Sequence, residues 1–216
     1  MATLKDFVIQ QGKTFSQVLR YEAPPIVYKA ITAITQAAPA AITSASHGIP
    51  DGWRVAIVSV KGMTQINCAK FDSKKQPVDV HYATLVDANT ITLNDVNAAG
   101  YTAYASGGYI QYNTPVDLSV YAGALSIGSP GGVRMSIKDK IGGTELLRLD
   151  TTTTSPQPRI VVNNSNKTIT FTIAAADTAA LTWTKGVYDV ELVSAGGVVT
   201  LLLSGNITVT KEVTTT

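Results

Sequence analysis

The chain has 216 residues, 45% of them hydrophobic and 15% charged, with a formal net charge of +2. A net charge this small produces a weak electrostatic field, which does not attract a protein to a polyphosphate backbone. We therefore do not expect nucleic acid as a partner. No apolar run approaches the roughly 20 residues that span a bilayer, and Asp6, Gln10 and Gln11 interrupt any signal-peptide pattern, so we expect no membrane association.

Strand patterns begin near the N-terminus. The apolar residues Phe7 and Ile9 precede a turn at Gly12-Lys13, and a second alternating segment follows up to Tyr21. This arrangement predicts a hairpin. Pro24 and Pro25 end the hairpin, because proline has no backbone N–H to donate to a strand ladder. A lone hairpin is not stable in water, so we expect these strands to pair with others after Pro115.

A second module begins near Tyr28. It contains a turn over Ser46–Gly52, a polar loop over Lys70–Asp79, and a stretch rich in Gly and Tyr over Gly100–Tyr112. Its predicted strands are Trp53–Val60, Val80–Val86 and Thr90–Leu93. The pattern therefore predicts an inserted module over residues 28–111 and a discontinuous outer domain made of residues 1–27 and 112–216.

The C-terminal third has the clearest alternation. In Thr168–Ile173 the isoleucines and Phe171 share one face and the threonines the other, which is typical of a half-buried strand. Gly196-Gly197 between two apolar runs predicts a hairpin. The predicted strands of this part are Val133–Lys138, Leu146–Leu149, Ile160–Val162, Thr168–Ile173, Tyr188–Leu192, Val198–Leu203 and Asn206–Thr210. One short helix is predicted over Ala174–Leu181, with Trp183 packed into the core behind it, and the whole pattern predicts an all-β sandwich.

Residues with catalytic potential are few. Gly12-Lys13-Thr14 matches the end of a phosphate-binding loop, but Phe7 stands where that loop needs a glycine. His47 precedes Gly48 in a predicted turn, and the spacing of His47, His81 and Cys68 matches no zinc pattern. Because it is the only cysteine, Cys68 cannot form an intrachain disulfide, which favours synthesis in a reducing cytoplasm. We expect no catalytic residue, no metal and no cofactor.

Aromatic residues are the candidates for an interaction surface. Tyr101, Tyr104, Tyr109 and Tyr112 lie in the glycine-rich stretch, and tyrosine is enriched at protein interfaces. Trp53 is the other candidate, because an exposed indole could stack on a sugar ring. The alternative is that these tyrosines pack the core of the small module, and the sequence leaves both interpretations open.

Several segments of the inserted module carry a resemblance to a known family. The segments are Ala33–Thr35, Ser46–Gly48, Asp51-Gly52, Gly62–Asn67, Asp87–Leu93, Gly100–Tyr104 and Ser106–Gly108. Together they resemble a module of tailed-phage structural proteins that is labelled by similarity to the first catalytic cysteine half-domain of ubiquitin-activating enzymes. That half-domain is a small β-barrel without the catalytic cysteine, so the resemblance implies no ubiquitin chemistry for Cys68.

The flanking segments resemble a second phage family. The matching segments are Asp6–Gly12, Val116–Leu118 with Tyr121, Met135–Thr144, Ala175–Leu181, Gly186–Leu192, and Val209 with Glu212–Thr214. They are similar to the immunoglobulin-like N-terminal domain of the upper baseplate protein that carries receptor-binding proteins. The chain departs from that family at Ala122–Gly132, an additional segment rich in Gly and Ser. The resemblance implies an immunoglobulin-like β-sandwich with an inserted small β-barrel.

These resemblances lead to an expected function. We expect a virion structural protein, made in the host cytoplasm, that acts as a homo-oligomeric adaptor in the tail or baseplate and attaches fibres or joins rings. Its partners would then be other virion proteins of the tail, baseplate, fibre or capsid. A capsid decoration or head fibre protein is the nearest alternative, and a module that binds host glycans through Trp53 or the tyrosines is another.

Overall fold

A computed structural model of the chain describes residues 3–73, 76–123, 125, 131–152 and 159–212. The fold is all-β, as predicted. Within the described residues one short α-helix, α1, spans Ala175–Ala179, and two 3-10 helices span Thr64–Ile66 and Ser119–Tyr121. The strands are β1 Thr3–Leu4, β2 Phe7–Gln10, β3 Phe15–Arg20, β4 Glu22–Ala30, β5 Ala33–Ile34, β6 Ala40–Thr43, β7 Trp53–Lys61, β8 His81–Asp87, β9 Thr90–Leu93, β10 Ser106–Pro115, β11 Gly132–Lys138, β12 Glu145–Asp150, β13 Arg159–Asn163, β14 Thr168–Ile173, β15 Lys185–Val193 and β16 Val199–Thr210.

The chain divides into two compact units. The first unit comprises residues 1–20 and 117–216, and the second comprises residues 21–116. The chain enters the second unit through β4 and leaves it through β10. These two strands pair with each other from Ala30 and Tyr109 to Glu22 and Pro115. The unit therefore extends beyond the predicted range 28–111 on both sides. The additional segment Ala122–Gly132 lies in part outside the described residues.

The first unit contains two sheets. One has the order β1-β16-β15-β11-β12, with β2 also paired to β16, and the other has the order β13-β14-β3. β1 and β2 run parallel to β16, whereas the other pairs are antiparallel. The alternation in β14 buries Ile169, Phe171 and Ile173. Phe7 of the first sheet meets Phe15 of the second edge-on at 5.6 Å between ring centroids, so the two sheets face each other across these rings.

The predicted N-terminal hairpin is wrong. β2 pairs with β16 and β3 pairs with β14, so the chain crosses from one sheet to the other at the Gly12 turn. Gly12 has a φ of +77°, which glycine adopts without steric cost. The turn at Gly12 leads the chain from one sheet to the other instead of joining two neighbouring strands of one sheet. The alternation of apolar and polar residues is the same in both cases, so it does not distinguish them.

The C-terminal hairpin at Gly196-Gly197 is confirmed. β15 and β16 pair antiparallel across it, with one bulge next to Val190. β16 is one strand of 12 residues where the sequence predicted two. Helix α1 is confirmed and is shorter than predicted, while Trp183 is half-buried instead of fully packed in the core.

The second unit is one antiparallel sheet with the order β4-β10-β7-β8-β9-β6-β5. Its two edge strands, β4 and β5, are consecutive in the chain. In the link between them, the Ile31 amide donates to the Gly108 carbonyl at 3.0 Å and the Thr32 amide donates to the Thr43 carbonyl at 2.9 Å. One face buries a continuous apolar cluster that includes Trp53, Ile57 and Ile110.

A chain in which residues 21–116 are replaced by a short Gly/Ser bridge should still fold and unfold cooperatively. The Val116 amide donates to the Tyr21 carbonyl at 3.3 Å, so a short bridge can join the remaining ends. Every described strand of the first unit pairs within that unit. The measurement is urea unfolding followed by Trp183 fluorescence, and a broad transition with loss of fixed side-chain packing would contradict the expectation.

Candidate interaction surfaces

Trp53 is buried in the second unit. Its side chain is 0% exposed, and its Nε1 donates to the Asn113 carbonyl at 2.9 Å. The prediction that Trp53 is exposed and stacks on a ligand is therefore wrong. Its position as the first residue of β7, with the side chain on the inner face, explains why: the indole is among the largest side chains in that core.

Three of the four predicted tyrosines lie in or against the same core. Tyr112 is buried and its hydroxyl donates to the His47 carbonyl. Tyr101 and Tyr104 are partly buried against the cluster. The Tyr104 hydroxyl lies 2.9 Å from the Ile31 carbonyl and 3.0 Å from the Gly107 carbonyl. These contacts hold the glycine-rich start of β10 against the link between β4 and β5.

Tyr109 differs from the other three tyrosines. Its side chain is 46% exposed on the outer face of β10. It meets Tyr28 of β4 edge-on, with 6.3 Å between ring centroids, and Tyr28 is exposed as well. Of the candidate residues, Tyr109 is thus the one that presents an aromatic side chain to solvent.

His47 has a structural position. The ring is buried, its Nδ1 accepts a hydrogen bond from the Ile49 amide at 3.0 Å, and its Nε2 lies 3.0 Å from the Asp87 carbonyl. The two partners assign a neutral ring with the proton on Nε2. Both nitrogens are satisfied by the backbone, so His47 fixes the turn before β7 as predicted from its place in the sequence.

Metal-ligating side chains are dispersed. His81 pairs with Asp95 at 2.7 Å, and the Cys68 thiol contacts the Lys70 carbonyl. Nowhere in the described part of the chain do three His, Cys, Asp or Glu side chains come together in a way that could hold a metal ion. Among the described residues, no helix is long and apolar enough to cross a membrane.

A pocket of about 230 Å³ lies on the outer face of the second unit, beside β7 and β10. Its charged groups are paired with each other: Arg54 donates to Glu22 through Nε at 2.9 Å and through Nη2 at 2.6 Å. The Asn113 amide also donates to Glu22 at 3.1 Å. The hydrogen bond to Glu22 raises the pKa of Arg54. The charged side chains among the described residues that line this pocket are therefore paired with each other.

A larger groove of about 480 Å³ lies on the outer face of the first unit. Its floor crosses three strands, because Ser136 of β11, Asp189 of β15 and Ser204 of β16 are cross-strand partners. Leu4 of β1 pairs with Ser204 and forms one wall, and Ile141 forms another. Leu4 is 82% exposed and Ile141 is 92% exposed. Two large apolar side chains thus border a polar floor.

Asp189 is the acidic group on the floor of the groove, and two basic residues, Lys138 and Lys140, also line it towards the hairpin tip. Burial of part of the carboxylate and the nearby charge of Glu191 raise the pKa of Asp189, while Lys138 and Arg134 act in the opposite direction. Arg134 is bound to Glu191 at 2.6 Å. Among the described residues, Asp189 forms no ion pair within 4.0 Å. Its negative charge is therefore incompletely compensated within the chain.

Ile141 is held at the tip of the β11–β12 hairpin. The Asp139 carboxylate accepts hydrogen bonds from the Thr144 amide at 2.7 Å and from the Lys140 amide at 2.9 Å. Gly142 completes the turn with a φ of +72°. These bonds stabilise one backbone conformation of the tip, so the exposed isoleucine is presented by an ordered loop.

Tyr188 lies directly beneath this face of the first unit. It is buried, stacks on Phe7 at 5.0 Å, and its hydroxyl donates to the Lys5 carbonyl at 2.5 Å. Burial, and then the nearby charge of Asp6, raise the pKa of Tyr188. The neutral phenol is therefore the form that the native state stabilises.

We expect the protein to lose stability above about pH 10, where an unfolded tyrosine ionises. Because the pKa of Tyr188 is raised in the native state, the unfolded state releases a proton that the native state retains, and stability falls as pH rises. Tyr188→Phe should make this alkaline decline shallower. The measurement is urea unfolding across the alkaline range, with the slope near neutral pH as the internal reference, and an unchanged alkaline slope would contradict it.

Sequence reasoning did not identify the groove. Leu4, Ile141 and Asp189 come from three distant segments, and of these only Asp189 lies in a predicted strand. The one local signal was an isoleucine, Ile141, between a lysine and two glycines in the link between the predicted strands Val133–Lys138 and Leu146–Leu149, because turns seldom place a large apolar residue at their tip.

Comparison with known proteins does not assign the chain to a family. No protein-family model matches it, and no curated protein matches it significantly.

Proposed function

We propose that the chain is a structural protein of a tailed-phage virion, an adaptor in the tail or baseplate that attaches fibres or joins rings through protein contacts. The observation that carries the proposal is the groove of the first unit, where Leu4 and Ile141 stand exposed on an ordered sheet and hairpin. Apolar side chains presented in this way are typical of surfaces that bind other proteins. The proposal gives the chain no catalytic role and no cofactor.

We further propose that the first unit is an immunoglobulin-like sandwich. Its strand order supports this: β3, β14 and β13 correspond to strands B, E and D of such a domain, and β11, β15 and β16 correspond to C, F and G. The chain departs from antibody domains in its core, because the buried side chains of β11 are Val133, Met135 and Ile137, without a tryptophan, and the one cysteine, Cys68, lies in the second unit. The second unit is inserted between the equivalents of strands B and C.

For the second unit we propose a small closed β-barrel. The support is the continuity of its two edge strands, since β4 runs directly into β5 through Ile31 and Thr32 and each side bonds a different neighbour. A sheet whose edges are the same stretch of chain has the connectivity of a barrel. This fits the module implied by the resemblance to the half-domain.

A host glycan-binding module is the second candidate. The exposed pair Tyr28 and Tyr109 favours it, because aromatic rings on a sheet surface can contact sugars. The edge-on arrangement of the two rings offers less flat area than stacked platforms do. With Trp53 buried, this candidate depends on the tyrosine pair.

Gold-labelled antibody imaging of intact particles tests the assembly role. Label at the tail end is the result expected for an adaptor, and it would direct the search for partners to fibre and baseplate proteins. Label over the head would replace the adaptor with a capsid decoration or head fibre protein. If no particle is labelled, the structural role fails, and glycan binding abolished by Tyr109→Ala becomes the next test.

A further inference from the structure

The groove of the first unit has a definite chemical complement. Besides Ile141, its apolar lining includes Leu4 and Leu201, which stand on neighbouring strands, while Asp189 on the floor has no cation within ion-pair distance among the described residues. Leu4 lies two strands from Asp189, roughly 10 Å at the usual strand spacing. A fitting ligand therefore combines an apolar side chain for the walls with a cation for the carboxylate.

The chain itself carries this combination at the tip of the β11–β12 hairpin. Lys140 and Ile141 are adjacent, Ile141 is almost fully exposed, and Lys140 makes no ion pair with any described residue. The hydrogen bonds of Asp139 hold the loop in one conformation. Little conformational entropy is lost when such a loop binds.

We propose that the groove receives the hairpin tip of a second copy of the chain, with Ile141 of the second copy against Leu4 and Leu201 and its Lys140 ammonium on Asp189. The contact is reciprocal, because each copy presents both the tip and the groove, and it closes around a two-fold axis. A formal net charge of +2 produces little repulsion between copies.

The charge pattern favours a second copy over other occupants. Lys140 and Lys138 lie at the tip end of the groove and Asp189 lies on its floor, so two copies in antiparallel arrangement place each cation near the opposite carboxylate. A purely apolar ligand would leave Asp189 buried without a partner, which costs free energy. This inference deepens the proposed adaptor role and rests on it only for the expectation that copies associate.

Sedimentation velocity of the full-length protein over a concentration series tests the contact. We expect a reversible dimer whose dissociation constant rises about 10- to 100-fold in Ile141→Asp, since a central anchor of the interface is lost. Val161→Asp is the matched control, because Val161 is also an exposed apolar residue of the first unit but lies on β13 of the other sheet. It should leave the dissociation constant unchanged.

Exchange of the two charges tests the pairing itself. Lys140→Asp and Asp189→Lys should each weaken the dimer about tenfold, and the double variant should recover most of the wild-type affinity. Circular dichroism spectra establish that each variant is folded. A monomeric wild-type protein at every concentration, or a double variant no tighter than the single ones, would overturn the inference.

The outcomes separate this inference from the proposed function. A dimer that is insensitive to Ile141→Asp overturns the groove contact and leaves the adaptor role standing. A dimer that behaves as expected, in a protein that labels no particle, supports the contact while the virion role fails.

Discussion

Trp53→Ala should lower the free energy of unfolding of the second unit by about 3–5 kcal/mol, the range measured for large aromatic residues cut to alanine in cores. The indole is fully buried in the centre of the apolar cluster, and its loss opens a cavity between β7 and neighbouring strands. It also leaves the Asn113 carbonyl without its donor. Urea unfolding followed by far-ultraviolet circular dichroism measures the change.

Two further variants separate burial from surface binding. Trp53→Phe keeps most of the buried area and should cost less than alanine, because the main losses are the hydrogen bond to Asn113 and part of the ring. Tyr109→Ala removes an exposed ring and should cost well under 1 kcal/mol in apolar burial. If Trp53→Ala leaves stability unchanged, the assignment of Trp53 to the core is wrong.

Gly62→Ala should destabilise the second unit by about 2–5 kcal/mol, through a left-handed backbone and overpacking together. Gly62 has a φ of +84°, and a Cβ there would lie 2.3 Å from the Ala103 carbonyl oxygen and 2.7 Å from the Ala105 nitrogen. Both are backbone atoms, so neither moves without shifting the segment that leads into β10. The measurement is urea unfolding monitored by Trp53 fluorescence in a Trp183→Phe background.

Gly107→Ala is the matched control for this effect. Gly107 also has a positive φ, of +70°, but a Cβ there would lie 3.6 Å from the Ser59 carbonyl oxygen, an ordinary contact distance. Its cost is therefore that of the left-handed conformation alone, about 1–2 kcal/mol. Equal losses at the two glycines would show that the close approach of Ala103 does not constrain the fold.

Strands with a strict period of two were predictable from the sequence. Thr168–Ile173 and Thr90–Leu93 are strands with the predicted bounds, because each buries one face against a core and exposes the other. The strand β10, which starts in a glycine-rich segment, was not among the predicted strands. Gly107 and Gly108 have positive φ values that no propensity favours in a strand, and only tertiary contacts such as that of Tyr104 hold them there.

The candidate surface was harder to predict than the fold. Aromatic composition pointed to Trp53 and the tyrosines, but composition does not distinguish a core aromatic from an exposed one. The groove depends on which residues the register places side by side, as with Ser136, Asp189 and Ser204. Such a row of side chains forms only after strands distant in sequence have paired, so the local sequence pattern does not predict it.

The pairing of β2 with β16 has a consequence for the order in which the chain folds during synthesis. All the strands of the second unit lie within residues 21–116, so this unit has its complete sequence early. β2 cannot pair until its partner β16, which ends at Thr210, has been synthesised, and β3 cannot pair until β14 has been synthesised. On the ribosome this delay lasts on the order of ten seconds at typical rates of synthesis. The second unit can therefore fold before the first, and β2 and β3 lack their partner strands until β14 and β16 have been synthesised.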